Sequence, residues 1–206
     1  MYTYPILSAS PSLTAFVFAG GGSLGAIEVG MLRELLDHGV HPGCVIGASA
    51  GAINASGPVV DAVLASAAIP GVFPTVRIGG LDLVDGGVAN NTPISVAISL
   101  GVTRVIVLPA GFACALHKPP GNAIAQATHA FTLLIARQLV RDLESYSSRA
   151  EIFVVPPLCP LDVSPYDYTQ CDRLIERAAA KTRAWLNEGG LERAFIPGEL
   201  REHTHA

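Results

Sequence analysis

The sequence predicts an α/β fold, a three-layer α/β/α arrangement around a mostly parallel central sheet. Three observations lead there. Short apolar runs of strand length alternate with segments of helical periodicity, which is the pattern of parallel strands joined by crossover helices. Several of the runs end in glycine-bounded turns. The 206 residues suit one domain, and half of them are hydrophobic while 15% are charged, so a core of ordinary size is supplied.

The elements follow in order. Ala15 to Phe18 (AFVF) is a buried strand running into Gly20-Gly21-Gly22. Ile27, Met31 and Leu35 recur at helical spacing, and Gly39 is the C-cap of that helix. Cys44-Val45-Ile46 forms a second strand, closed by a turn at Gly47. Residues 50–55 suit a short helix stopped near Gly57-Pro58, and 59–68 a second one stopped by Pro70-Gly71. Val76 to Val84 is strand-like, with a Gly79-Gly80 turn inside it. Pro93 fits the first turn of a helix running to Leu100. Val105 to Leu108 is a buried strand, 122–145 a long helix, Glu151 to Val155 the last strand, and 169–186 an amphipathic helix. The expected organisation is a single domain over residues 1–190 and a polar C-terminal tail over 191–206.

Composition excludes several classes. The mean hydropathy is high, +0.44. Even so, no stretch approaches the ~20 consecutive apolar residues of a membrane span, because Asn90 to Pro93 and then Thr103, Arg104 and Pro109 interrupt the most apolar region. The first basic side chain is Arg33, so Met1 to Pro11 lacks the basic region of a secretory signal. A cytoplasmic location is expected, with peripheral membrane association as a further option. A net charge of −4 gives no basic footprint for nucleic acid. Cys44, Cys114, Cys159 and Cys171 are scattered without a CxxC pair, and are expected to be reduced, mostly buried thiols rather than disulfides or metal ligands.

Gly47-Ala48-Ser49-Ala50-Gly51 matches the G-x-S-x-G nucleophile elbow, with a strand before it and a helix after it. Small neighbours let the chain double back while the serine hydroxyl projects clear, and the following helix N-terminus favours a developing oxyanion. A glycine-rich turn with an incidental serine has the same spelling. Gly20-Gly21-Gly22-Ser23-Leu24-Gly25 also has more than one reading. G-x-G-x-x-G after a strand can cradle a dinucleotide pyrophosphate, supply oxyanion-hole amides, or simply permit tight strand–helix packing. The dinucleotide reading needs a carboxylate at the end of the second strand. That strand ends in Gly47-Ala48-Ser49, which favours the oxyanion reading.

A serine nucleophile needs a base. His38, His41, His129, His203 and His205 occupy no strand-end position after the serine, and His117 sits in a Lys-Pro-Pro loop. Asp85-Gly86-Gly87 follows the apolar run Leu81 to Val84. This places Asp85 at the end of a strand neighbouring that of Ser49, within hydrogen-bond reach of its hydroxyl (~2.6–3.2 Å, or somewhat looser without ligand). The two glycines leave room for close approach. An ordinary Asp-Gly hairpin turn is the plainer alternative, and His117 stays open as the base.

The glycine loop, the elbow and Asp85-Gly86-Gly87, in that order, resemble the patatin-like phospholipase family. The segment Ala65 to Pro74 (ASAAIPGVFP) and Asn90-Asn91-Thr92-Pro93 resemble the sequence flanking its acid motif. The resemblance spans about Thr14 to Leu108 and continues more weakly to Leu186. It implies a Ser49–Asp85 dyad without histidine, an oxyanion hole from the Gly20–Gly25 amides, and hydrolysis of lipid acyl esters with no metal or organic cofactor. Two departures stand out. Leu24 occupies a position where many relatives carry Arg or Lys. The helical insertion that relatives place after the elbow helix is missing near Gly57-Pro58, so Ser49 and Asp85 stand only 36 positions apart (85 − 49). Without that cover, apolar residues near Ser49 are expected to form an exposed patch suited to lipid. A non-catalytic lipid- or partner-binding module of the same fold is the alternative, with a dinucleotide-binding domain third.

Overall fold

A computed structural model describes residues 13–51, 65–66, 68, 74–78, 80–116, 121, 123–201 and 203. The expected helices over 50–55 and 59–68 fall mostly outside these residues, as do the Ser56-Gly57-Pro58 connection and His117.

The central sheet has four strands, β1 (Thr14–Phe18), β2 (Cys44–Gly47), β5 (Arg104–Leu108) and β6 (Glu151–Val154), in the order β2-β1-β5-β6. Every pairing is parallel, with Phe18 opposite Gly47 on one side and Leu108 on the other. Near-continuous apolar strands are what a sheet covered on both faces requires, and alternate side chains serve opposite faces. Phe16, Phe18, Ile106, Leu108 and Phe153 pack with Ile27, Met31 and Leu35 of α1 (Gly25–Asp37) and Leu174, Ala178 and Trp185 of α5 (Cys171–Asn187). On the other face Ala15, Val17, Val105, Val107 and Val154 pack with α3 (Ile94–Ser99), α4 (Ala123–Tyr146) and Leu200. The result is the expected three-layer α/β/α fold.

Helix α1 ends one residue earlier than the sequence suggests. His38 is the cap, and Gly39 lies just beyond it at φ +74°, with its N–H donating to Leu36 O. That left-handed conformation is why glycine stands there. Among the described residues, no helix is long and apolar enough to cross a membrane.

One expectation is corrected. The Val76–Val84 region is a hairpin of two three-residue strands, β3 (Val76–Ile78) and β4 (Leu81–Leu83), that pair antiparallel in a sheet of their own. Asp85 therefore does not follow a strand neighbouring β2. The physical reason is exposure: Leu81 and Val84 face solvent, and Arg77 and Asp82 form a 3.5 Å exposed pair, so the hairpin has no second covered face. The expected tail after residue 190 makes contacts with the domain. Leu200 is buried against the α3/α4 face, and Glu199 accepts from Lys181 Nζ at 2.7 Å.

Candidate active site

The order β2-β1-β5 makes the C-terminal end of β1 a switch point. Its connection to β2 leaves on one side and β5 lies on the other. Crevices for ligands form at such points in open α/β sheets. The candidate residues converge there.

The chain leaves β1 through Gly20-Gly21-Gly22, passes a 3-10 turn (Gly22–Leu24) and enters α1. Most of the loop amides are committed. Gly20 N–H donates to Asn91 O (2.9 Å), Ser23 to Pro165 O (2.9 Å), Leu24 to Gly21 O (3.1 Å) and Gly25 to Gly22 O and Ser23 O. The N–H groups of Gly21 and Gly22 have no acceptor among the described residues. Gly22 has φ +58° and faces Pro165 O, so a side chain there would be both strained and obstructed. Leu24 is buried among the α1 and α5 side chains, and it also lines the cavity described below.

Ser49 follows β2 at φ +53°, and among the described residues no other non-glycine has a positive φ. Such a conformation costs of order 1–2 kcal/mol for a residue with a Cβ. It is held from several sides. Ser49 N–H donates to Ser66 Oγ (2.9 Å) and Ala48 N–H to Phe18 O (3.3 Å). Helical residues begin at Ala50. A Cβ on Gly51 would meet Phe18 O and Ala19 O at 2.6 Å, so glycine there lets the elbow lean on the end of β1. A Cβ on Gly20 would lie 3.0 Å from Ser49 Cβ and would collide with Asn91 Oδ1. The glycine loop and the elbow are thus in contact.

Asp85 is buried, with 5% exposure. Its N–H donates to Ala68 O (2.9 Å), and its Oδ1 accepts from Gly87 N–H (2.8 Å). The two glycines after it differ. A Cβ on Gly87 would sit 3.1 Å from Asp85 Oδ1, whereas one on Gly86 would meet nothing within 4 Å. Only Gly87 is needed for close approach, which corrects the expectation for Gly86. A direct Ser49–Asp85 hydrogen bond is not among those of the described residues.

Ser49 and Asp85 line one cavity of about 150 Å³, together with Gly20, Gly21, Gly22, Asn91 and Thr92. Its far wall is apolar: Phe131, Ile135, Ala136 and Leu139 of α4, Phe112 after β5, Tyr166 and Leu200. Asn91 ties the site together, since its Nδ2 donates to Gly20 O (2.9 Å) while its own carbonyl accepts from Gly20 N–H. The sequence reading passed over its role. A polar residue directly before the buried Thr92-Pro93-Ile94 run is the signal that could have marked it.

All four cysteines are half-buried rather than mostly buried, and none forms a disulfide. Cys114 and Cys159 meet, and burial, with Cys114 adding to it, pushes the Cys159 thiol up to about 11.

A family model described as Patatin-like phospholipase matches the chain over residues 16–58 and 56–98. The two stretches take in the glycine loop, the elbow and Asp85. They meet at 56–58, where the sequence marks the short connection. A search of curated proteins returned no match.

Proposed function

We propose that the chain, which matches the patatin-like phospholipase family model over residues 16–98, hydrolyses lipid acyl esters with Ser49 and Asp85 acting as a dyad. The observation that carries the reading is the convergence on one cavity of a strained serine, a buried carboxylate and two loop amides without acceptors among the described residues.

In this reading Ser49 Oγ attacks the ester carbonyl carbon as Asp85 takes its proton. The Gly21 and Gly22 amides donate to the oxyanion of the tetrahedral intermediate, and the other loop amides act by holding these two in place. Collapse expels the alcohol, which receives the proton from Asp85 and leaves an acyl-enzyme on Ser49. Water then attacks that ester with Asp85 again as base, releasing the acid and the serine. Hydrogen bonds of this kind commonly tighten only when substrate is bound, which accommodates the lack of a direct Ser49–Asp85 hydrogen bond. Phe131, Ile135 and Leu139 suit an acyl chain. Exposed Val88, Phe131 and Tyr166 beside the cavity suit contact with a lipid surface.

A p-nitrophenyl ester chain-length series tests the assignment. Ser49→Ala is expected to lower kcat/KM by about 10⁴-fold or more, and Asp85→Asn by about 10³-fold or more, with the double variant little worse than either. His117→Ala is expected to keep its activity. Substantial turnover in Asp85→Asn, or its loss in His117→Ala, would move the base to histidine. A fluorophosphonate probe that fails to label Ser49 in a folded, lipid-binding protein would instead establish the non-catalytic module.

A further inference from the structure

Cys114, Cys159 and His203 come from three separate segments: the chain after β5, the chain after β6, and the C-terminal stretch. Cys114 Sγ lies 3.9 Å from Cys159 Sγ, and His203 Nε2 lies 3.3 Å from Cys159 Sγ. One ligand atom from each residue falls within 4.8 Å of the others. A disulfide would bring the sulfurs to ~2.05 Å. Zinc bonds of ~2.3 Å to sulfur and ~2.0–2.1 Å to nitrogen, at tetrahedral angles, place two sulfurs about 3.8 Å apart and a sulfur and a nitrogen about 3.5 Å apart. The Cys114–Cys159 and Cys159–His203 separations are close to two edges of that tetrahedron.

The surrounding groups are arranged as metal ligands require. His203 Nδ1 lies 2.7 Å from Arg201 O. A carbonyl can only accept, so Nδ1 carries the hydrogen and Nε2 presents its lone pair on the sulfur side. Leu161 N–H donates to Cys114 Sγ at 3.4 Å, a contact that favours thiolate.

We propose that Cys114, Cys159 and His203 bind one zinc-class divalent cation, with water as the fourth ligand. Two thiolates and an imidazole select a borderline-soft ion over magnesium or calcium. The two thiolates neutralise its charge, and the exposure of His203 gives solvent access. The site adjoins the active-site wall. Phe112 lines the Ser49 cavity, and its ring centroid is 6.3 Å from that of His203. Leu200 lines both that cavity and the one beside His203. The ion would clamp the C-terminal segment onto this wall.

Cobalt titration of the full, thiol-reduced chain tests the proposal. One Co²⁺ per chain is expected, with thiolate-to-cobalt charge-transfer absorption and the intense visible bands of tetrahedral coordination, both displaced by Zn²⁺. Cys114→Ser and Cys159→Ser should each abolish the charge-transfer band, His203→Ala should alter the visible bands, and Cys44→Ser should leave the titration unchanged. In the wild type, chelator should lower Tm and added zinc should restore it, a readout that needs no variant. Weak octahedral-type absorption, a titration unchanged in Cys159→Ser, a Tm indifferent to chelator and zinc, or a Cys114–Cys159 disulfide that resists mild reductant would each overturn it.

Discussion

Under α1 and α5 the central sheet is sealed, whereas on the side of α4 a cavity opens beyond the C-terminal ends of its strands. On the sealed face Gly30 lets α5 approach so closely that any Cβ would collide with Ile175 O. Ile27, Met31, Leu35 and Leu174 are fully buried there, and the buried Glu34 carboxylate accepts two 2.8 Å bonds from Arg183. On the open face α4 buries Leu139 and Leu143 but leaves Phe131, Leu133 and Leu134 exposed. Close packing leaves few voids larger than a water molecule, so a site of this size is tolerated best where packing has been relaxed. The sealed face supports the fold, and that support leaves room for the cavity that lies against α4.

Substitutions on the two faces should then separate stability from activity. The largest effect on the fold is expected from Leu35→Ala, which opens a cavity on the sealed face and should cost about 2–5 kcal/mol. Its kcat/KM per folded molecule should stay at the wild-type value, and urea denaturation combined with active-site titration checks both. A large loss of specific activity would show that the faces are coupled. Asn91→Ala should cost less, about 1–3 kcal/mol for the orphaned Gly20 carbonyl, yet lower kcat about tenfold or more with KM little changed, because it loosens the glycine loop against Ser49. Steady-state kinetics resolve the two constants. The smallest effect is expected from Ile135→Trp on the open face. Chain-length preference should shift a few-fold toward short esters as the cavity fills, with Tm nearly unchanged. An unaltered preference would place the acyl chain elsewhere.

What could be read in advance was local. The glycine loop and the elbow each fit within a few residues of a strand end, so the apolar run and the glycines that follow disclosed where both lie. The hairpin carrying Asp85 kept its turn but not its address, since Leu81 to Val84 reads as an apolar run whether it joins the main sheet or stands apart. Contacts of long sequence separation stayed hidden. Nothing in the spelling of α4 announces that Phe131 and Ile135 face a serine more than eighty positions away. Cys114, Cys159 and His203 lack metal-site spacing because each arrives on a different segment. The same holds for Leu200, one apolar residue in a polar stretch, which only the folded chain turns into a wall.

The left-handed backbone at Ser49 sets two selective interests against each other at a single residue. Glycine adopts φ +53° without steric cost, so Ser49→Gly should yield a protein harder to melt than the wild type and unable to turn over an ester. Ser49→Ala keeps the strained Cβ and loses only the hydroxyl. The gap in melting temperature between these two variants would measure, apart from any chemistry, how much fold stability the serine's posture consumes.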